Sequence, residues 1–137
     1  MNAVSQFAKE HGHWLIRIQL AAIFLYHGAI KFPMAEMMAN GMGMPLFMVY
    51  MLAMAELLAG LFLVAGALFN PILTRISGGI IAVVMAGAVM MVHWPQWGFV
   101  ATESKPMGGM EFQLLVLLLG LLFALRGNHL FNENGAE

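Results

Sequence analysis

The sequence contains no cysteine and few charged residues. Only 9% of its 137 residues are Asp, Glu, Lys or Arg, whereas about a quarter of the residues in a soluble domain are charged. Without cysteine the chain has no disulfide, no thiolate metal ligand and no dithiol for electron exchange, which excludes a disulfide-exchange enzyme. The net charge of −1 gives no sign of nucleic-acid binding.

Apolar side chains, by contrast, make up 61% of the sequence. Four apolar runs are each close to the length of about 20 residues that a helix needs to cross the hydrocarbon of a bilayer. They predict spans at about residues 14–32, 46–69, 72–93 and 110–126. We therefore expect an all-α integral membrane protein, an antiparallel four-helix bundle in which residues 1–137 form a single transmembrane domain.

Lysine and arginine near the ends of the spans predict the orientation of this bundle, because cytoplasmic segments of membrane proteins carry an excess of both. Four such residues fall on the side of the two termini and two on the other side. The four are Lys9, Arg17, Arg75 and Arg126, and the two are Lys31 and Lys105. We therefore expect both termini, including the polar tail to Glu137, to be cytoplasmic.

The first span carries a stripe of cationic residues. On a helix, Arg17, Phe24, His27 and Lys31 lie within about 120° of one another. A cation at the middle of a membrane costs about 2.5–3.5 kcal/mol, so the stripe must face other helices or a wet cavity. Glu56 lies near the midplane of the second span and needs a partner for the same reason.

Small residues predict where the spans pack, because small faces let membrane helices approach closely. In the second span these residues share a face with Glu56, and in the third they share a face with two ionisable residues. The two sets are Ala53, Glu56, Gly60 and Ala67, and Arg75, Gly79, Ala82, Ala86 and His93. The glycine-rich side of the third span, which includes Gly78 and Gly87, is expected to pack against other helices.

These residues together resemble the DoxX family of small four-helix membrane proteins. The resemblance runs from about residue 14 to 128, and its most specific part is His27-Gly28-x-x-Lys31. Its other matches are Arg17, the run Phe24 to Phe32, Glu56 with Gly60 and Gly66, Arg75, His93, Gly98-Phe99, and Gly109 with Glu111. The resemblance implies a bacterial inner-membrane protein, since relatives include membrane subunits of thiosulfate:quinone oxidoreductases.

A quinone-binding subunit of an oxidoreductase is the function that this resemblance implies. The expected site joins His27, Lys31, His93 and Glu111 near the extracytoplasmic end to Glu56 below them. A quinone becoming a quinol accepts protons and a developing negative charge, which His, Lys or a protonated Glu can supply. The expected cofactor-binding residues around them are Arg17, Phe24, Tyr26 and Trp94.

The same residues have structural interpretations. Ion pairs Lys31–Glu111 and Arg17–Glu56 would fix the helix register, and His93 would donate to or accept from the backbone. The protein would then be a non-catalytic subunit that docks or stabilises a membrane or extracytoplasmic partner, or forms a homo-oligomer, through its small-residue faces.

Copper handling is a third alternative, because methionine and histidine are ligands that suit Cu(I). Several methionines are expected near the extracytoplasmic surface with His93, namely Met34, Met37, Met38, Met42, Met44, Met107 and Met110. However, methionine is an ordinary apolar filler and no Met-x-x-Met-x-x-Met repeat is present, so no metal site is predicted. A haem held by His27 and His93 has still weaker support from the spacing.

Overall fold

The computed structural model describes residues 2–129, which contain helices and no β-strand. The polar tail expected at residues 130–137 lies outside the described part. In chain order the α-helices are α1 (Ala3–His11), α2 (His13–Lys31), α3 (Ala35–Met42), α4 (Leu46–Leu68), α5 (Pro71–Ala88) and α6 (Glu111–Arg126), and a single π-helical segment, Val89–His93, extends α5.

Local sequence determines most of these boundaries. The side chain of Asn70 accepts a hydrogen bond from the backbone N–H of Ile72 (3.0 Å), and Pro71 occupies the first turn of α5, where its missing N–H costs nothing. Gly43 ends α3 with a positive φ of 62° and Gly127 follows α6 with a φ of 59°, conformations that glycine adopts without steric strain.

The four long helices α2, α4, α5 and α6 confirm the predicted antiparallel membrane bundle. Helix α4 and α5 with its π-helical extension each have the length and composition of a membrane span, and α1–α2 taken together with α3 count as a third. Between α2 and α3 the chain bends by 89°. Between Glu111 and Arg126, helix α6 has Gln113 as its one polar side chain, although at 1.5 Å per residue the helix is only about 24 Å long.

Glycines set the distances between neighbouring helices. A Cβ added at Gly28 would lie 2.9 Å from the carbonyl oxygen of Ala53, and one at Gly78 would lie 2.6 Å from that of Gly120. These contacts join α2 to α4 and α5 to α6. The prediction that Gly79 lies on the packed face of the third span is wrong, since nothing lies within 4 Å of a Cβ there. The expected packing of Gly78 is confirmed, whereas that of Gly87 is wrong because nothing lies within 4 Å of a Cβ there either.

The bundle core combines an apolar cluster with a few buried polar side chains. The buried apolar cluster consists of Leu20, Phe24, Ala59, Leu63, Ile81, Val116 and Phe123. Buried Arg17 lies at one end of α2 and buried Lys31 at the other. We call these two ends of the molecule the Arg17 end and the Lys31 end. Both described termini, at Asn2 and His129, are at the Arg17 end.

Candidate functional site

A buried ion pair between α2 and α4 is the centre of the candidate site. Lys31 Nζ lies 2.5 Å from Glu56 Oε2, and the two side chains are only 10% and 6% exposed. Lys31 Nζ also donates to the carbonyl oxygen of His27 at 3.2 Å, so its side chain runs back towards the start of α2, the direction that helical side chains favour. The predicted pairs Arg17–Glu56 and Lys31–Glu111 are therefore wrong, since Lys31 reaches Glu56.

Helix α3 closes the Lys31 end above this ion pair. Ala35 and Ala39 are buried against Val49 of α4, with Met38 and Met44 packed around them. Val49 precedes Glu56 by two helical turns, so α3 crosses α4 about 10 Å farther out than the carboxylate. The bend after α2 thus folds α3 back against the outer part of α4, beyond the level of the ion pair.

The imidazole of His27 is exposed beside the buried pair. It lies close enough to Glu56 for the two groups to interact electrostatically, and it meets the ring of Tyr26 edge-on at 5.5 Å between centroids. His27 is one turn before Lys31 on α2. The structure therefore places His27, Lys31 and Glu56 next to one another, with the first at the lipid-facing surface and the other two inside.

His93 and Glu111 lie apart from this group, nearer the rim of the Lys31 end. Because Ser77 Oγ donates to the carbonyl oxygen of Ala59, Glu56 is level with about residue 80 of α5, and His93 lies about 20 Å farther along the helix axis. Likewise, the contact between α5 and α6 at Gly78 places Glu111 about 12 Å beyond the level of Glu56.

His93 forms a hydrogen bond with the backbone, as its structural interpretation predicted. Its side chain is 6% exposed, and Nδ1 lies 2.9 Å from the carbonyl oxygen of Gly108. This hydrogen bond to the backbone, expected as one alternative, is confirmed, and it ties the loop 94–109 to the end of α5. Glu111 is half-buried and makes no ion pair with any residue in the range 2–129.

The aromatic residues expected around a quinone ring occupy three different environments. Phe24 is 1% exposed within the bundle core, whereas Tyr26 is 64% exposed on α2 and Trp94 is 59% exposed after α5. In the described part of the chain no ring contact joins these three side chains. Phe24 therefore lines the interior, and the other two face outward.

Arg17 belongs to a second polar cluster, at the Arg17 end. Its side chain is fully buried and donates to the carbonyl oxygen of Leu63, to Thr74 Oγ1 (3.1 Å) and to Asn128 Oδ1 (3.0 Å). Asn128 Nδ2 donates in turn to the carbonyl oxygen of Gly66 at 2.9 Å. The cluster joins α2, α4, α5 and the residue that follows the Gly127 turn, and its partners are uncharged.

Two members of this cluster, Thr74 and Asn128, were not predicted from the sequence. A signal was available, since a buried guanidinium has five N–H donors and needs several acceptors at its own depth. Both residues occur at that depth, Thr74 one turn into α5 and Asn128 directly after α6. The face of Phe123 adds a further contact, 5.0 Å from the guanidinium carbon.

The methionines do not gather with His93 in the way that copper handling would need. Met38 and Met44 pack against the small cluster between α3 and α4, and Met110 is buried. A shallow groove brings Met42, Met91 and Met107 together, but Lys105 lines the same groove. An ammonium group there opposes a bound cation. Among residues 2–129 no group of three His, Asp or Glu side chains is placed to hold a metal ion.

Fold and site together define the protein class, a multi-pass membrane protein with ionisable side chains bonded inside a helical bundle. The DoxX family model matches residues 12–94, which is more than half of the chain. A Bacillus subtilis (strain 168) protein named "Putative oxidoreductase CatD" is 32% identical over 122 residues, covering 87% of this chain and 81% of that protein. The chain therefore belongs to the DoxX family. No solved structure matches it significantly.

Proposed function

We propose that this protein is a quinone-binding membrane subunit of an oxidoreductase, with its head-group site at His27 and the Lys31–Glu56 pair. The observation that carries the proposal is a buried ion pair in a membrane bundle next to an imidazole that lipid-soluble molecules can reach. Ionisable groups inside a membrane are more often functional than structural. The name of the Bacillus subtilis relative as an oxidoreductase supports the same class of reaction.

The residues present fit the polar end of a quinone. A bound quinone accepts two electrons and two protons when it is reduced to a quinol. His27 can donate a hydrogen bond to a ring carbonyl from its exposed imidazole. Glu56 can hold or release a proton inside the bundle, while the Lys31 ammonium stabilises negative charge that develops nearby. The chain has no cysteine, so we assign electron delivery to a partner protein in or on the membrane.

Access to this site from the lipid lies between α2 and α6. The close backbone contacts in the described bundle join α2 to α4, α4 to α5 and α5 to α6. Helices α2 and α6 instead share the buried core cluster, to which Phe24 and Val116 both belong. Gly28 marks the face of α2 that packs on α4, and His27 lies about 100° around the helix from it, outside that face. A quinone diffusing in the membrane would meet His27 at this less tightly packed boundary.

Quinone content of the purified protein tests the proposal. We expect quinone to be extracted with the protein and to fall about tenfold in His27→Ala, with an unchanged melting temperature because the ring is exposed. His11→Ala, which replaces an exposed histidine at the Arg17 end, is the matched control. Quinone absent from the protein, or retained fully by His27→Ala, would refute the site and leave the non-catalytic docking role.

We also propose that the protein lies in the bacterial inner membrane with both termini in the cytoplasm. Four cationic residues lie at the Arg17 end and two towards the other end, so the positive-inside rule favours this orientation. The four are Lys9, Arg17, Arg75 and Arg126, and the two are Lys31 and Lys105. A natural chain without cysteine allows a direct test by labelling single cysteines in intact cells. We expect an impermeant maleimide to label Lys105→Cys and not Lys9→Cys, and the reverse pattern would overturn the orientation.

A further inference from the structure

The outward face of α2 differs from an ordinary lipid-facing surface. The core face of this helix is buried, with Arg17, Phe24 and Gly28 at its centre. On the opposite face the residues recur every three or four positions and are exposed. We call this face the α2 strip, and it consists of Leu15, Gln19, Ala22, Tyr26 and Ala29.

Two polar groups of the α2 strip have no hydrogen-bond partner within residues 2–129. They are the carboxamide of Gln19 and the hydroxyl of Tyr26, whose side chain is 64% exposed. Gln19 is about 9 Å from the first residue of α2, and Tyr26 about 7.5 Å from the last. Both are therefore at depths where lipid offers no hydrogen bonds, and an amide placed there without a partner is costly.

Small residues flank the two polar groups of the α2 strip. Ala22 lies between Gln19 and Tyr26, and Ala29 follows Tyr26 by one turn, and at both positions a second helix can approach closely. The exposed face of α6 shows the contrast, because large apolar side chains such as Leu115, Leu118 and Leu125 cover it. Helix α6 thus has the surface expected against lipid tails, and the α2 strip has the surface expected against another helix.

We propose that the α2 strip is the interface of a homodimer, in which the Gln19 carboxamides of two copies hydrogen-bond to each other. A two-fold axis along the membrane normal places each residue of the strip opposite the same residue of the second copy. A carboxamide both donates and accepts, so it complements itself at matched depth. The strip contains no charged group that would repel its copy, since Arg17 and Lys31 of α2 are buried in the bundle.

This interface does not depend on the quinone site. His27 lies about 100° around α2 from Tyr26, towards the α6 side, so a dimer through the α2 strip leaves its imidazole exposed. A partner of another kind would need its own polar side chain at the depth of Gln19, whereas a second copy supplies one by symmetry.

Disulfide trapping tests the dimer, because the natural chain has no cysteine. The purified Ala22→Cys protein is reconstituted in lipid vesicles at decreasing protein-to-lipid ratios and oxidised. We expect an efficient disulfide-linked dimer that persists on dilution. Val83→Cys, at a position 74% exposed on α5, is the control for random collision, and its dimer fraction is expected to fall in proportion to dilution.

The role of the carboxamide is tested separately by adding Gln19→Leu to the Ala22→Cys protein. Loss of one interhelical hydrogen bond is expected to weaken dimerisation roughly threefold to tenfold, while leucine in place of an exposed polar residue leaves the bundle folded. Cross-linking of Ala22→Cys no greater than that of Val83→Cys would overturn the interface. Unchanged cross-linking after Gln19→Leu would overturn the proposed hydrogen bond between the two copies.

Discussion

Replacing Lys31 and Glu56 one at a time and then together measures how strongly the buried ion pair holds α2 against α4. Lys31→Met and Glu56→Met each keep nearly the volume of the natural side chain and remove its charge. Each single variant leaves the other charge buried in the bundle without a partner. The double variant leaves two apolar side chains in contact.

The expected magnitudes follow from the 2.5 Å distance between Nζ and Oε2 and from the burial of both side chains. Removing one partner of a buried ion pair typically costs about 3–5 kcal/mol, whereas replacing both with apolar groups is often neutral or stabilising. We therefore expect each single variant to lose about 3–5 kcal/mol of unfolding free energy and the double variant to lie close to the natural protein.

Unfolding free energies from titration with SDS in mixed micelles provide the assay. The matched control is Lys105→Met, because the Lys105 ammonium donates to the carbonyl oxygen of Val92 and forms no ion pair among residues 2–129. We expect that control to cost about 1 kcal/mol. Single variants that cost no more than the control, or a double variant as unstable as the sum of the singles, would refute the paired, desolvated state of Lys31 and Glu56.

The remaining predictions concern helix packing and the two ends of the bundle. Gly78→Ala is expected to lower the melting temperature in detergent, because its Cβ would meet the backbone of α6. Gly79→Ala is at an open position and is expected to raise the melting temperature, because alanine is more stable than glycine within a helix by about 0.5–1 kcal/mol. Asn128→Ala is expected to cost about 1–3 kcal/mol in micellar unfolding, because it leaves buried donors of Arg17 without an acceptor. His93→Ala is expected to cost about 1 kcal/mol and to speed proteolysis of the loop that follows α5.

Each of these predictions has a clear contrary result. Equal effects of alanine at positions 78 and 79 would mean that α5 does not use Gly78 to approach α6. An Asn128→Ala protein as stable as the natural one would show that the Arg17 guanidinium finds its acceptors elsewhere. A proteolysis rate unchanged by His93→Ala would mean that the bond to the Gly108 carbonyl does not hold the loop.

The four spans could be predicted from the sequence to within a residue or two. Apolar runs bounded by proline or asparagine mark their ends, as at Pro33, Pro45 and Asn70-Pro71. The helix α1 was not predicted, although its signal was present. The side chain of Asn2 accepts a hydrogen bond from the backbone N–H of Ser5 at 2.9 Å, which is the usual N-terminal cap.

Partner choice inside the bundle could not be predicted, because it depends on helix register and side-chain length. Counting residues from the ends of the predicted spans puts both Arg17 and His27 at depths about equally near that of Glu56, so it does not identify the partner. In the folded bundle the contact of Gly28 with Ala53 fixes the register of α2 against α4. The long side chain of Lys31 then reaches back by about one turn to the carboxylate, a distance that counting residues from the span ends does not reveal.

Anchoring of α2 at both of its ends has a mechanical consequence for the bundle. Arg17 is bonded to Asn128 just beyond α6, and Lys31 is bonded to α4, so sliding α2 along its axis would break both attachments. Helices α2 and α6 therefore share a pivot at the Arg17 end. If α2 and α6 separate about this pivot, the gap between them is widest near His27, the side chain at which we propose that a quinone binds.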